Sequence, residues 1–166
     1  MLLHLTGEKY RLLLKSVLIV LTLLVPNSPR LVRLIKIDAF SSHDGYPGAY
    51  TIHTKKQLIE SSLKKANNDC CPINRPSDYE VAALFGVVKK LVPDVVKVLN
   101  TIVTKRLEFD NLALATALLK KDIKQIRALT TSLTTCLLSK GSTIDKLVGN
   151  GLKTVLDIAF TAVEAL

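Results

Sequence analysis

The chain has 166 residues, 48 % of them apolar and 22 % charged, with a net charge of +9. That length and balance suit one globular domain and exclude a disordered chain, while the scarcity of aromatics (5 %, no Trp) means a core of Leu, Ile, Val and Ala. A basic surface alone points to nucleic acid, anionic membrane, wall polysaccharide or plain solvation without choosing among them.

Residues 1–30 read as a signal-like or anchor segment. Lys9, Arg11 and Lys15 precede an apolar run from Ser16 to Val25, and Pro26 and Pro29 follow. The run is shorter than the ~20 residues a membrane span needs, so no stable transmembrane helix is expected. No small-residue cleavage site follows it, so the signal is atypical.

Residues 31–166 read as a helical-bundle domain. Leu31 to His43 is the first helix candidate, ended by the turn signals Asp44-Gly45 and Pro47-Gly48. A second helix runs from Ala49 to Asn68, with Ile52, Ile59, Leu63 and Ala66 on one face and Lys55, Lys56, Lys64 and Lys65 elsewhere. Ser77-Asp78-Tyr79-Glu80 is a capping box that opens the third helix, which is long and carries Pro93 in its middle. A proline there removes one backbone hydrogen bond and favours a kink. Leu112 to Ser139 is the fourth helix; Gly141 stops it, and Ser142 or Thr143 caps the fifth. No segment shows strand alternation. The expected class is all-α, an antiparallel bundle of about five helices joined by short loops.

Motifs for nucleotide binding or nucleophilic catalysis are absent from the sequence, and no Cys/His spacing suggests a metal. His43 and His53 read as surface residues, and Glu108 and Asp110 as loop solvators rather than an acid–base pair. The Lys-Lys pairs lie on polar faces without stacking aromatics, which argues against nucleic acid. No enzyme activity, cofactor or metal is expected. Antiparallel helices bring Cys136 near the loop of Cys70 and Cys71. It is read either as a bridge to one of the two or as a small core residue.

Several pieces in order resemble the fungal hydrophobic surface-binding protein A family, which includes the cell-wall galactomannoproteins. They are Leu91-Val92-Pro93-Asp94-Val95, Phe109-Asp110-Asn111-Leu112, Leu119-Lys120-Lys121-Asp122-Ile123, Leu137-Leu138-Ser139-Lys140 and Ile158 to Val163. Asp38-Ala39-Phe40 and Ile52-His53-Thr54 extend the likeness, which covers residues 37–166. The chain departs from the family where Pro26 and Pro29 interrupt the expected start of its first helix, and in lacking a clean signal peptide.

The resemblance implies a secreted or wall-associated, non-catalytic protein that binds long-chain fatty acids or hydrophobic surfaces. Cell-wall polysaccharide is a further candidate partner. The alternative is a structural wall or adhesion protein with a filled core. An aliphatic core loosened by Pro93, Gly86, Gly149 and Gly151 suits an acyl chain, and the apolar stripes nominate Phe85, Val88, Ile126, Leu133, Leu152, Val155 and Phe160 as its lining.

Overall fold

The computed structural model of the protein describes residues 37–72 and 76–166. The signal-like segment 1–30 and the first half of the helix expected from Leu31 lie outside them. What remains of that helix is a turn at residues 37–39 and a single 3-10 turn, η1 (Ser42–Asp44). Ser41 caps it: the His43 amide donates to the Ser41 hydroxyl at 3.2 Å, and the Ser41 amide donates to Asp44 at 2.8 Å.

Five α-helices follow: α1 (Gly45–Cys70), α2 (Asp78–Thr104), the short α3 (Arg106–Asp110), α4 (Ala115–Lys140) and α5 (Thr143–Glu164). The class is all-α, and no strand occurs among the described residues.

Asp44-Gly45 and Pro47-Gly48 do not separate two helices; they form the first turn of α1. A proline fits there because first-turn amides have no helical partner. Gly45 takes φ +58, and a Cβ on Gly48 would meet Asp44 Cβ at 2.5 Å, so both glycines are required by the turn.

α2 runs through Pro93 unbroken and opens on Ser77, whose amide donates to Glu80 at 2.9 Å. α5 opens on the equivalent Ser142–Asp145 box. α4 begins three residues later than the apolar pattern suggests, because Leu114 sits in the left-handed region at φ 66. Asp110 then holds Thr116 in the first turn of α4 at 2.7 Å.

Consecutive long helices run antiparallel. α1 packs along α4, α4 along α5, and α5 along α2. α1 and α2 do not form such a closely packed pair. Cys71, at the end of α1, is bridged by a disulfide to Cys136 of α4, with Cα atoms 5.5 Å apart; Cys70 is a free, buried thiol. At the opposite end Lys105 Nζ donates to Phe40 O at 2.9 Å, the Ser42 amide donates to Glu108 at 2.7 Å, and Phe40 stacks on Phe109 at 4.5 Å. Glu108 is thus a tether rather than a loop solvator.

The core is in two parts. One contains Phe40, Leu99, Ile102, Phe109, Phe160 and Val163; the other contains Cys70, Leu84, Phe85, Leu133 and Leu137 near the disulfide. Ile59, Val88 and Ile126 pack against both.

Candidate functional site

The junction between the two cores is not filled. A cavity of about 130 Å³ lies there, walled by Ile52, Lys56, Ile59 and Leu63 of α1, by α2 from Val88 to Ile102, by α4 from Leu119 to Leu137, and by Leu156 and Phe160 of α5. Its wall is mostly aliphatic, with Lys56, Asp122, Thr130 and Thr134 among the lining residues, and a mostly apolar space of this kind suits apolar guests.

Four of the seven nominated residues, Val88, Ile126, Leu133 and Phe160, line it together. Phe85, Leu152 and Val155 do not. Phe85 is buried, but its ring faces the α4–α5 corner: a Cβ on Gly149 would come within 2.6 Å of the ring, and one on Gly141 within 3.1 Å. Gly149 therefore admits an aromatic ring between tightly packed helices instead of loosening them. Gly86 and Gly151 face open space. Leu152 packs partly buried against the first core, and Val155 is 47 % exposed on the outer side of α5.

Lys56 does not belong to the polar face of α1. Its position falls on the buried stripe Ile52, Lys56, Ile59, Leu63, and the residue is only 7 % exposed. Its ammonium donates to Glu60 Oε2 at 2.6 Å and to the Gln125 side-chain oxygen, and forms an ion pair with Asp122 Oδ1 at 3.2 Å. Asp122 is buried too and accepts from His53 Nδ1 at 2.7 Å, so His53 is a structural partner rather than a free surface residue. Lys64 completes the group on Glu60 Oε1 at 2.7 Å. The hydrogen bonds from Lys56 and Lys64 hold the Glu60 carboxyl down to about 2. Thr130 and Thr134 add hydroxyls to the α4 wall, Thr134 donating its proton to Thr130 O at 2.7 Å.

Outside the bundle α5 carries a second apolar feature. Ile144, Leu147 and Ile158 are 75 %, 76 % and 66 % exposed, and with Val148, Gly151 and Val155 they recur at helical spacing along one outward stripe. No helix among the described residues is long and apolar enough to cross a membrane.

A family model described as "Hydrophobic surface binding protein A" matches residues 35–139. No curated protein matches the chain. Solved structures do. The protein AFMP4P in complex with palmitic acid superposes with a TM-score of 0.81 at 20 % identity, over 92 % of this chain and 97 % of that one. Ligand binding domain 2 of the Penicillium marneffei MP1 protein, complexed with multiple arachidonic acids, gives a TM-score of 0.59 at 10 % identity over 96 % of each chain. Domain 1 of the same protein, complexed with arachidonic acids, gives 0.59 at 15 % identity over 93 % of this chain and 96 % of that one. At such identities the likeness shows a shared fold.

Proposed function

Since its sequence fits that model over residues 35–139, the chain belongs to the hydrophobic surface binding protein A family, and we propose that it is a secreted, non-catalytic carrier of long-chain fatty acids. The observation that carries the reading is the mostly aliphatic cavity between two separate cores, lined by Val88, Ile126, Leu133 and Phe160 among others. The palmitate and arachidonate complexes of its structural relatives supply the ligand class. A filled structural core, the competing reading, is disfavoured by the same cavity.

The energetics are adequate. Each buried methylene contributes about 0.8 kcal/mol, so a 16-carbon tail gains on the order of 11 kcal/mol before several kcal/mol of association entropy are subtracted. Micromolar affinity follows. Ligand pockets usually measure about 300–1,000 Å³, so the 130 Å³ seen here is a closed form that must widen to take the whole tail.

Secretion is supported by the Cys71–Cys136 disulfide, a bond that persists in oxidising compartments, and by the charged and apolar order of residues 1–30. Native mass spectrometry of the purified protein, followed by thermal melts with palmitate, tests the reading. Copurifying fatty acid, or a rise in melting temperature with added palmitate, is expected. An empty protein with an unchanged melt overturns it.

The outward stripe of α5 favours a second role, adsorption to an apolar surface through Ile144, Leu147 and Ile158. Converting Ile144 and Ile158 to Lys should weaken adsorption to polystyrene beads while sparing palmitate binding. Undiminished adsorption would remove this role.

A further inference from the structure

Lys56 poses a problem that stability does not solve. A buried ion pair rarely outperforms apolar packing of the same volume, and position 56 lies on an otherwise aliphatic stripe beside an aliphatic cavity. A leucine there would complete the wall. The cluster ties α1 to α4, and the charge beside the cavity is also placed to meet a polar group that enters it.

Resting on the lipid-carrier reading, we infer that Lys56 is the specificity-determining residue of the cavity: its ammonium takes the carboxylate of the bound fatty acid, so that free acids are selected over neutral lipids of equal tail length. Two of the three ammonium protons are hydrogen-bonded, to Glu60 and Gln125, and Asp122 crowds the third side as an ion pair, so an incoming carboxylate that bonds the ammonium in full displaces one of these partners. Gln125 is the one to leave. It is neutral, its residue is exposed on α4, and its amide finds water on swinging out. Glu60 stays, anchored by Lys64, and Asp122 stays, anchored by His53. The exchange replaces a neutral acceptor with a charged one at a buried ammonium, which strengthens the bond.

The groups facing Lys56 set the limits of the effect. Lys56 and Lys64 are balanced by Glu60 and Asp122, so the unliganded cluster is neutral when His53 is neutral, and an entering carboxylate meets the opposing charge of Asp122. Removing that charge should tighten acid binding, whereas removing the Lys56 charge should weaken it. A purely structural ion pair predicts neither.

The test compares palmitate with methyl palmitate, which share a tail and differ in the charged head. The ratio of their dissociation constants is measured for the wild type, Lys56→Met and Asp122→Asn. Because each protein binds both ligands, the ratio cancels any change in folding or cavity volume. The wild type should prefer the acid. Lys56→Met should lower that preference about tenfold and Asp122→Asn should raise it several-fold. One ratio common to all three proteins overturns the role of Lys56 while leaving lipid binding intact. Failure of the wild type to bind either ligand overturns both readings.

Discussion

Filling the cavity is the most direct perturbation of the lipid site. Val88 lies on α2 at the seam between the two cores and lines the space, so Val88→Phe places a phenyl ring where the ligand tail is expected. A cavity costs about 24 cal/mol per Å³ in measured series, which for 130 Å³ amounts to roughly 3 kcal/mol of stability forgone. The ring fills part of the volume, and some of the gain is offset by imperfect fit, leaving an expected stabilisation of about 1 kcal/mol. The same ring excludes about three methylenes of an acyl chain, worth about 2 kcal/mol, so palmitate should bind some thirtyfold more weakly. Chemical denaturation without ligand and calorimetric titration with palmitate give the two numbers on one preparation. Leu107→Phe, on exposed α3 away from the cavity, serves as the control and should change neither. If Val88→Phe binds palmitate as tightly as the wild type, the tail does not lie in this cavity, whatever the fold resembles.

Two glycines of α5 should respond oppositely to alanine. Gly149→Ala drives a methyl against the Phe85 ring and Leu138 and should cost about 1–2 kcal/mol, whereas Gly151→Ala meets nothing and should gain up to about 1 kcal/mol; equal effects in urea melts would contradict the packing described. Leu114 is 81 % exposed at φ 66, so Leu114→Asn should stabilise by about 0.5–1 kcal/mol by relieving the backbone at no packing cost. Burial, reinforced by Asp69, pushes the Cys70 thiol up to about 11; at neutral pH iodoacetamide should label it only after unfolding, and fast labelling of the folded protein would refute the burial. Glu60 has a folded value of about 2, below its ordinary 4.5, so its stabilising contribution is complete above pH 4.5 and is lost as pH falls toward 2. Glu60→Gln should flatten that part of the acid-denaturation profile relative to the wild type, and an unchanged slope would count against the Lys56–Glu60–Lys64 group.

Local signals in the sequence located most of the helices. The capping boxes at Ser77 and Ser142 are complete within four residues each, so both helix starts are legible without tertiary information. The start of α4 is not, because nothing in the residues around Leu114 favours a left-handed conformation; it is imposed by the link to α3 and by the Asp110–Thr116 hydrogen bond. Pro47 and Gly48 mislead for the opposite reason, since the residues that break a helix in its middle are also those admitted to its first turn. Of the lining, Val88, Ile126, Leu133 and Phe160 follow from helical stripes, but a stripe gives the inward face and not what the residue meets there. Phe85 is as inward as Val88, yet its ring is received by Gly141 and Gly149 from a segment more than fifty residues away. Lys56 was readable from spacing alone: it stands four residues after Ile52 and three before Ile59, a lysine inside an apolar stripe. Its partners Asp122 and Gln125 come from α4, so the cost of burying it and its relief were not visible in the same stretch of chain.

The distribution of these cross-links also says where the cavity must widen. α1 and α4 are held together by the Cys71–Cys136 disulfide, by Asn67 donating to Leu129 O at 3.0 Å, and by the Lys56–Asp122–His53 cluster. α4 is held to α5 by Arg127, which reaches Glu164 at 2.6 Å and Thr161 at 3.2 Å. Against the cavity, α2 offers only aliphatic side chains from Val88 to Ile102, and such contacts can slide without leaving a polar group unpaired. The proline in its middle has already removed one backbone bond from the helix that would have to bend. A 16-carbon tail that enters this cavity should therefore gain its extra volume by moving α2, with the α5 it packs on, away from the α1–α4 pair, while the pair itself keeps Lys56 and its partners in place.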